Sequence, residues 1–336
     1  MKSRHYTIPV FVPEEACPNQ CVFCNQRRIA GAECAPSVEE VISKVDEHLL
    51  TIPADGEVEI GFFGGNFTGI PIKEQQAYLE SVQSYILSGR VQGIRLSTRP
   101  DYITKEILDF LEKYHVTSIE LGAQSLDDEV LKLAGRGHSV TEVQEASRMI
   151  KQQGFSLGLQ MMIGLPGDTA EKSLFTAKEI IRLGADCTRI YPTLVIKNTE
   201  LEQLYLEGTY QPLPLEDAIQ RVAEIVPLFI DAGVKILRIG LHPSEGLLDR
   251  TSLVAGPFEV AFGEMVFSEI WKQIFSFLVY PNVRRNLITV TTANGMRNPA
   301  IGYKAMNKAM LLESFRKVVF IESPDLKGFE YHVDTV

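Results

Sequence analysis

The sequence predicts an α/β fold: a partial (β/α) barrel followed by a small C-terminal α+β appendage. Two observations carry this reading. Short β-rich runs alternate with amphipathic helical stretches as far as residue 239. Each run also delivers its chemically unusual residues at its C-terminal end. Such alternation demands parallel strands joined by helical crossovers. The ends of those strands share one mouth in a barrel, whereas an open doubly wound sheet gathers them at a switch point. Seven strands fall short of a closed eight-fold barrel.

The expected strands are Tyr6–Val12, Val58–Phe63, Gly93–Ser97, Ser118–Gly122, Leu157–Ile163, Thr188–Leu194 and Lys235–Ile239. Helical patterns fall near 38–50, 73–87, 104–114, 141–153, 170–183 and 215–232. Ser37 with Glu40, Thr141 with Gln144, and Asp168 with Glu171 have the spacing of capping boxes. Gly154, Gly184 and Gly233 stand where helices stop. The alternation ends after about residue 245. We expect a strand around Leu287–Thr291, a helix near 302–315 and a last strand at Lys317–Ile321, giving domains 1–245 and 246–336.

The 336 residues suffice for one large core and a small second domain. With 45% hydrophobic and 23% charged residues, the composition is that of an ordinary globular protein. No apolar run reaches membrane-span length, and MKSRHYTIPV lacks the core of a signal peptide, so the expectation is a cytoplasmic protein without a membrane. A net charge of −10 gives no general attraction to nucleic acid, although Arg284, Arg285 and Arg297 form a local basic cluster in the sequence.

Chemistry concentrates first in ACPNQCVFCNQ. Cys17, Cys21 and Cys24 are close enough to face one metal centre, and no second cysteine pair completes a zinc site, since Cys34 and Cys187 stand alone. We expect those two to be ordinary buried thiols. Three thiolates on an iron–sulfur cubane leave one iron without a protein ligand. A structural zinc knot or an incidental cysteine cluster is the alternative. GFFGGNFTG at 61–69 is a glycine-rich turn at a strand end, without the Lys-Ser/Thr of a triphosphate loop. Gln124 and Ser125 end a strand that should be buried, which calls for a polar partner at the mouth. Arg136, flanked by glycines in GRGH, can aim a guanidinium at a carboxylate. RIGLHPSEGL places Arg238, His242 and Glu245 near the barrel mouth, and Tyr191 is either core or pocket wall.

The CxxxCxxC spacing, with Phe23 before the third cysteine, resembles the signature of the radical S-adenosylmethionine (SAM) superfamily. The resemblance implies a 4Fe-4S cluster on Cys17, Cys21 and Cys24, with SAM chelating the open iron and cleaved to methionine and a 5′-deoxyadenosyl radical. The turn at Gly64, Gly65 and Asn66 looks like the superfamily's motif for the SAM amino group. It implies Gln124 near the SAM ribose, Arg136 near its carboxylate and Phe23 near its adenine. STRPD, LGAQS, GRGH, GLPGDT and YPTLVIKNTELEQLYLEGTY resemble the radical SAM half of the Elongator catalytic-subunit family, and LGAQSLDDEVL…GRGH is similar to oxygen-independent coproporphyrinogen oxidases. Elongator-type proteins space the first two cysteines farther apart and continue into an acetyltransferase domain. No acetyl-coenzyme-A loop is visible in 246–336, so acetyl transfer is not carried over. The chain looks most like stand-alone bacterial proteins of that branch. The resemblance implies hydrogen abstraction from an organic substrate, tRNA or a small molecule, and an electron donor such as flavodoxin or ferredoxin. A binding protein that has lost SAM chemistry is the rival reading.

Overall fold

The computed structural model describes residues 5–13, 21–25, 34–279 and 285–336. Seven parallel strands form one sheet in the order β1 (His5–Val12), β2 (Glu57–Gly64), β3 (Gly93–Thr98), β4 (Val116–Gln124), β5 (Ser156–Ile163), β6 (Cys187–Pro192) and β8 (Lys235–Ile239). The first and last strands do not pair, so the sheet curls into a half-barrel with an open side. Between β6 and β8, β7 (Val195–Ile196) pairs antiparallel with β9 (Leu253–Ala255) at the mouth.

The outer face of the sheet is apolar. Ile60, Phe62, Ile94, Leu96, Ile119, Leu121, Leu157 and Leu159 are fully buried. The crossover helices pack onto them with stripes at helical spacing: Val41 and Val45 of α1 (Val38–Thr51), and Val143, Ala146 and Ile150 of α6 (Val140–Gln152). Ala177 and Ile180 of α7 (Ala170–Arg182) and Val222, Val226 and Phe229 of α9 (Leu215–Asp231) continue the layer. Each large aliphatic side chain so buried is worth roughly 1.5–3 kcal/mol.

Alternate residues point the other way, and there the strands carry charge: Glu59, Arg95, Glu120, Gln160, Arg189 and Arg238. A closed eight-stranded barrel fills this interior with branched apolar side chains. Here it carries these charged side chains among apolar ones such as Phe11, Phe63 and Met162, and it stays open.

Several local expectations shift. Residues 73–87 form two helices, α2 (Ile72–Ser81) and α3 (Gln83–Leu87), broken at Val82. The capping box before α6 is Ser139 with Glu142 rather than Thr141 with Gln144, because Ser139 is the last extended residue. Thr169, not Asp168, caps α7, since the Asp168 carboxylate is turned back to the Gly164 amide at 2.7 Å. Ser37 and Glu40 do form their box, and Gly154, Gly184 and Gly233 adopt positive φ.

The appendage is a three-stranded sheet with β10 (Arg285–Ala293) central, parallel to β11 (Phe315–Ser323) and antiparallel to β12 (Tyr331–Thr335). The last strand escaped the sequence reading because YHVDTV is half polar and exposed. The helix expected near 302–315 is shorter, α13 (Met306–Leu312), preceded by α12 (Arg297–Ile301). Arg285 and Arg297 are exposed here, and Arg284 lies outside the described residues. Helix α11 (Phe262–Phe275) joins the two parts. Val266 and Ile270 belong to the barrel core, while Trp271 and Phe275 belong to the core of the appendage. Division of the chain at 245/246 is our proposal.

Candidate active site

A cavity of about 1030 Å³ occupies the open interior and reaches the C-terminal mouth. Cys21, Phe23, Cys24, Gly64, Gly65, Gln124 and Arg136, seven of the nine residues singled out from the sequence, share its wall. Cys17 lies outside the described residues. Asn66 is not on the wall. Its buried side chain accepts from Thr98 Oγ1 at 2.6 Å and from the Arg99 amide at 3.2 Å, so it braces the ends of β2 and β3 together.

The cysteine segment is docked from both sides. The Val22 amide donates to the Ala134 carbonyl at 3.1 Å, at the end of α5 (Asp128–Leu133). The Leu201 amide of α8 (Glu200–Leu206) donates to the Val22 carbonyl at 2.7 Å. Val22 and Phe23 pack with Val130, Leu165, Val195 and Tyr210, and the Tyr210 hydroxyl donates to the Gly164 carbonyl at 2.7 Å. The stretch 189–210 therefore holds the cysteine segment, a role its sequence alone did not disclose.

Gly64 ends β2 at φ 124°, with the Gly65 amide donating to the Val12 carbonyl at 3.1 Å. A Cβ at Gly64 would overlap that carbonyl, so only glycine keeps the turn. Gln124 ends β4 at φ 64°, beside a register shift against β5, and its buried Oε1 has no hydrogen-bond partner. A left-handed glutamine with an orphaned oxygen on a cavity wall is the kind of strain that collects at ligand sites.

Arg136 lies between Gly135 and Gly137, both at positive φ. Its Nη2 donates to the Gly122 carbonyl at 2.6 Å and its Nη1 to Cys21 Sγ at 3.1 Å, while Nε has no partner. Arg99 of the STRPD motif fixes the loop by donating to the Arg136 carbonyl at 2.7 Å and pairing with Asp101 at 2.9 Å. His138, next in the same loop, is buried. Burial first, then the charges of Arg136 and Arg99, push its pKa down to about 3.

The sequence reading missed the network on the inner face. Glu120 accepts from Arg189 Nε at 2.7 Å, Gln160 Nε2 at 2.9 Å and Arg95 Nη1 at 3.3 Å. Arg95 also pairs with Glu59 at 3.0 Å. Burial alone would raise the Glu120 carboxyl, but Arg189 and Arg95 hold it below the ordinary carboxylate range. The signal was present as single charges at alternate positions inside apolar strands, as in GIRLST and TSIELG. Cys187 lies against this network, 3.5 Å from Arg95 Nη1, its thiol pushed up by burial. Cys34 is exposed, contrary to the expectation of a buried thiol, which rested on residue type alone. Tyr191, Arg238 and His242 line the cavity, whereas Glu245 opens the short exposed helix α10 (Glu245–Leu248).

Comparison with known proteins gives the family and the fold. Residues 12–180 match the radical SAM superfamily, and residues 185–272 match the Radical_SAM C-terminal domain. The chain belongs to the radical SAM superfamily. It is 28% identical over 258 residues to a tRNA uridine(34) acetyltransferase of Dehalococcoides mccartyi, covering 66% of this chain and 56% of that protein. It is 31% identical over 195 residues to Elongator complex protein 3 of Saccharomyces cerevisiae, covering 51% of this chain and 35% of that one. The chain thus spans about half the first relative and about a third of the second. In fold it is similar to archaeal Methanocaldococcus infernus Elp3 with an N-terminal deletion, at a TM-score of 0.66 and 23% identity over 81% of this chain and 64% of that one. Escherichia coli coproporphyrinogen III oxidase (HemN), described as a radical SAM enzyme, follows at a TM-score of 0.50 and 18% identity, covering 69% and 54%.

As a radical SAM protein the chain is an enzyme, and the superfamily's cofactors are a 4Fe-4S cluster and SAM. The described residues fit that pair. Two thiols and an aromatic ring line the same cavity as Gly64 and Gly65, and so do Gln124, whose Oε1 is orphaned, and Arg136, whose Nε is orphaned. Among the described residues no helix is long and apolar enough to cross a membrane.

Proposed function

We propose that this enzyme holds a 4Fe-4S cluster on Cys17, Cys21 and Cys24, binds SAM against the adjoining wall, and abstracts hydrogen from an organic substrate in the cavity. The observation that carries the reading is the convergence of Cys21, Cys24, Gly64, Gly65, Gln124 and Arg136 on one wall from four separate stretches of chain. When bound, the cluster and SAM supply reductive cleavage to methionine and a 5′-deoxyadenosyl radical.

The chain's own residues do the positioning. The strained turn at Gly64 exposes backbone groups to the SAM amino group. Arg136, fixed by Gly122 and by the Arg99–Asp101 pair, offers Nε to the SAM carboxylate. Gln124 turns an unspent carbonyl oxygen toward the ribose hydroxyls. Phe23, in the cluster of apolar side chains at the mouth, gives the adenine a flat wall and excludes water. Electrons would come from a flavodoxin or ferredoxin.

Protein purified without oxygen tests the assignment. A dithionite-bleachable brown chromophore with about four irons and matching sulfide per chain supports it. Zinc without sulfide supports the rival, a binding protein without radical chemistry.

Two substrate classes divide the reading, and tRNA is favoured by the names of the relatives. Retention of bulk tRNA on filters at two salt concentrations separates the classes. Salt-sensitive retention supports tRNA, and none at low salt supports a small molecule.

A further inference from the structure

Around the inner face of the sheet the polar side chains run in order Glu59, Arg95, Glu120, Gln160, Arg189 and Arg238. The first five close on one another. Glu59 serves Arg95, and Glu120 serves both Arg95 and Arg189. Two carboxylates thereby answer two guanidiniums.

Arg238 comes last and has no such answer. It is the register partner of Arg189 across β6 and β8, so two arginines stand side by side. Its Nε and Nη2 donate to the Gly240 and Leu241 carbonyls, each at 3.0 Å, and it pairs with no carboxylate among the described residues. Carbonyl oxygens aim a guanidinium without neutralising it. Arg189 is met by Glu120, so the unanswered charge on this side of the cavity is that of Arg238, and an anion beside it supplies the missing partner. Tyr191, two residues beyond Arg189 on the same face, adds a phenol that burial keeps protonated and able to donate.

The SAM-facing residues lie elsewhere on the wall, at the ends of β2 and β4 and in the Arg136 loop. We infer that Arg238, with Arg189 and Tyr191 beside it, binds an oxyanion of the substrate, a carboxylate or a phosphate, on the β6–β8 side of the cavity. This rests on the cavity being the substrate chamber of the reading above. Planar, bidentate recognition of such a group is what a pre-aimed guanidinium provides.

Uridine 5′-monophosphate and succinate, each beside its uncharged counterpart uridine or succinamide, are the probes. Each is added to the cluster-loaded full chain with saturating SAM and no reductant, so that the SAM site is filled, and followed by ligand-detected NMR. We expect at least one anion to bind and neither neutral compound to do so. Arg238→Gln weakens that anion about tenfold or more, the effect of one lost charge-assisted hydrogen bond. Arg238→Lys recovers part of the loss, and Tyr191→Phe, which removes only a hydroxyl, weakens binding by a smaller factor. Binding of the nucleotide alone assigns a phosphate-bearing substrate, of succinate alone a carboxylate, and of both a general oxyanion site. Equal binding of the neutral compounds, unaltered anion binding in Arg238→Gln, or no anion binding up to roughly 10 mM, the weak-fragment regime, overturns the inference. Formation of 5′-deoxyadenosine by the reduced wild-type protein is scored separately. Anion binding without it leaves the subsite standing and removes the radical reading, and the reverse removes the subsite alone.

Discussion

Arg136 donates to Cys21 Sγ at 3.1 Å across 115 positions of sequence, and through its other terminal nitrogen it grips the Gly122 carbonyl at 2.6 Å. One guanidinium thus couples the cysteine segment to the end of the fourth strand. Replacing it should disturb ligand binding more than folding, because the Arg99–Asp101 pair still holds the loop by its backbone. We expect Arg136→Ala to weaken SAM binding to cluster-loaded protein by about tenfold to a hundredfold, from ~1.5–3 kcal/mol for a hydrogen bond to a charged group. Equilibrium dialysis measures this, and an unchanged affinity would remove Arg136 from the SAM site.

Glu120 gives a stability prediction. It is 1% exposed and compensates both Arg95 and Arg189. Glu120→Ala leaves the buried Arg95 with Glu59 alone and the partly buried Arg189 without its carboxylate, and removal of one partner from a buried pair costs about 3–5 kcal/mol. Urea denaturation should show this as a large drop in midpoint. Glu120→Gln, which keeps two acceptor lone pairs, should lose less. A loss below ~1 kcal/mol in Glu120→Ala would mean that water relieves the charges.

Two glycines separate conformational strain from steric overlap. Gly64 and Gly154 both adopt positive φ, but a Cβ at Gly64 meets the Val12 carbonyl, whereas at Gly154 it meets open space. Gly154→Ala should cost about 1–2 kcal/mol from the left-handed backbone alone. Gly64→Ala should do more, displacing the turn at the mouth and lowering SAM affinity at full iron loading. Matching stability and SAM binding in the two variants would contradict the placement of the turn.

His138 carries the pH dependence. Its folded pKa is pushed down to about 3 from an ordinary 6.5, so the folded protein holds it neutral while the unfolded chain protonates it. The associated stability is fully present above pH 6.5 and is lost as pH falls toward 3, by at most about 1.4 kcal/mol per pH unit. His138→Asn should flatten that slope in denaturation midpoints taken across this range. A slope unchanged by the substitution would show that other groups set it.

The barrel was legible because its signals are local and periodic. Apolar runs such as EVEIGFF and the glycines that stop helices need no knowledge of their neighbours. Cys21, Gly64, Gln124 and Arg136 stood out by residue type and by their glycine or cysteine neighbours, and all four line the cavity. What escaped was relational. Glu120 and Arg189 are 69 positions apart and acquire meaning only when β4 and β6 curl over the same space. The docking of Val22 on Leu201 is likewise a contact no spacing encodes. β12 was missed because an exposed edge strand needs no apolar alternation to pair with β10.

The most direct test of the radical assignment is anaerobic. The reconstituted chain is reduced with dithionite in the presence of SAM, and 5′-deoxyadenosine is counted for wild type and Cys21→Ala at equal protein concentration. The account predicts 5′-deoxyadenosine from the wild type carrying about four irons, and none from the variant, which cannot complete the three-thiolate site. Continued production by Cys21→Ala, or none from the fully iron-loaded wild type, would contradict it.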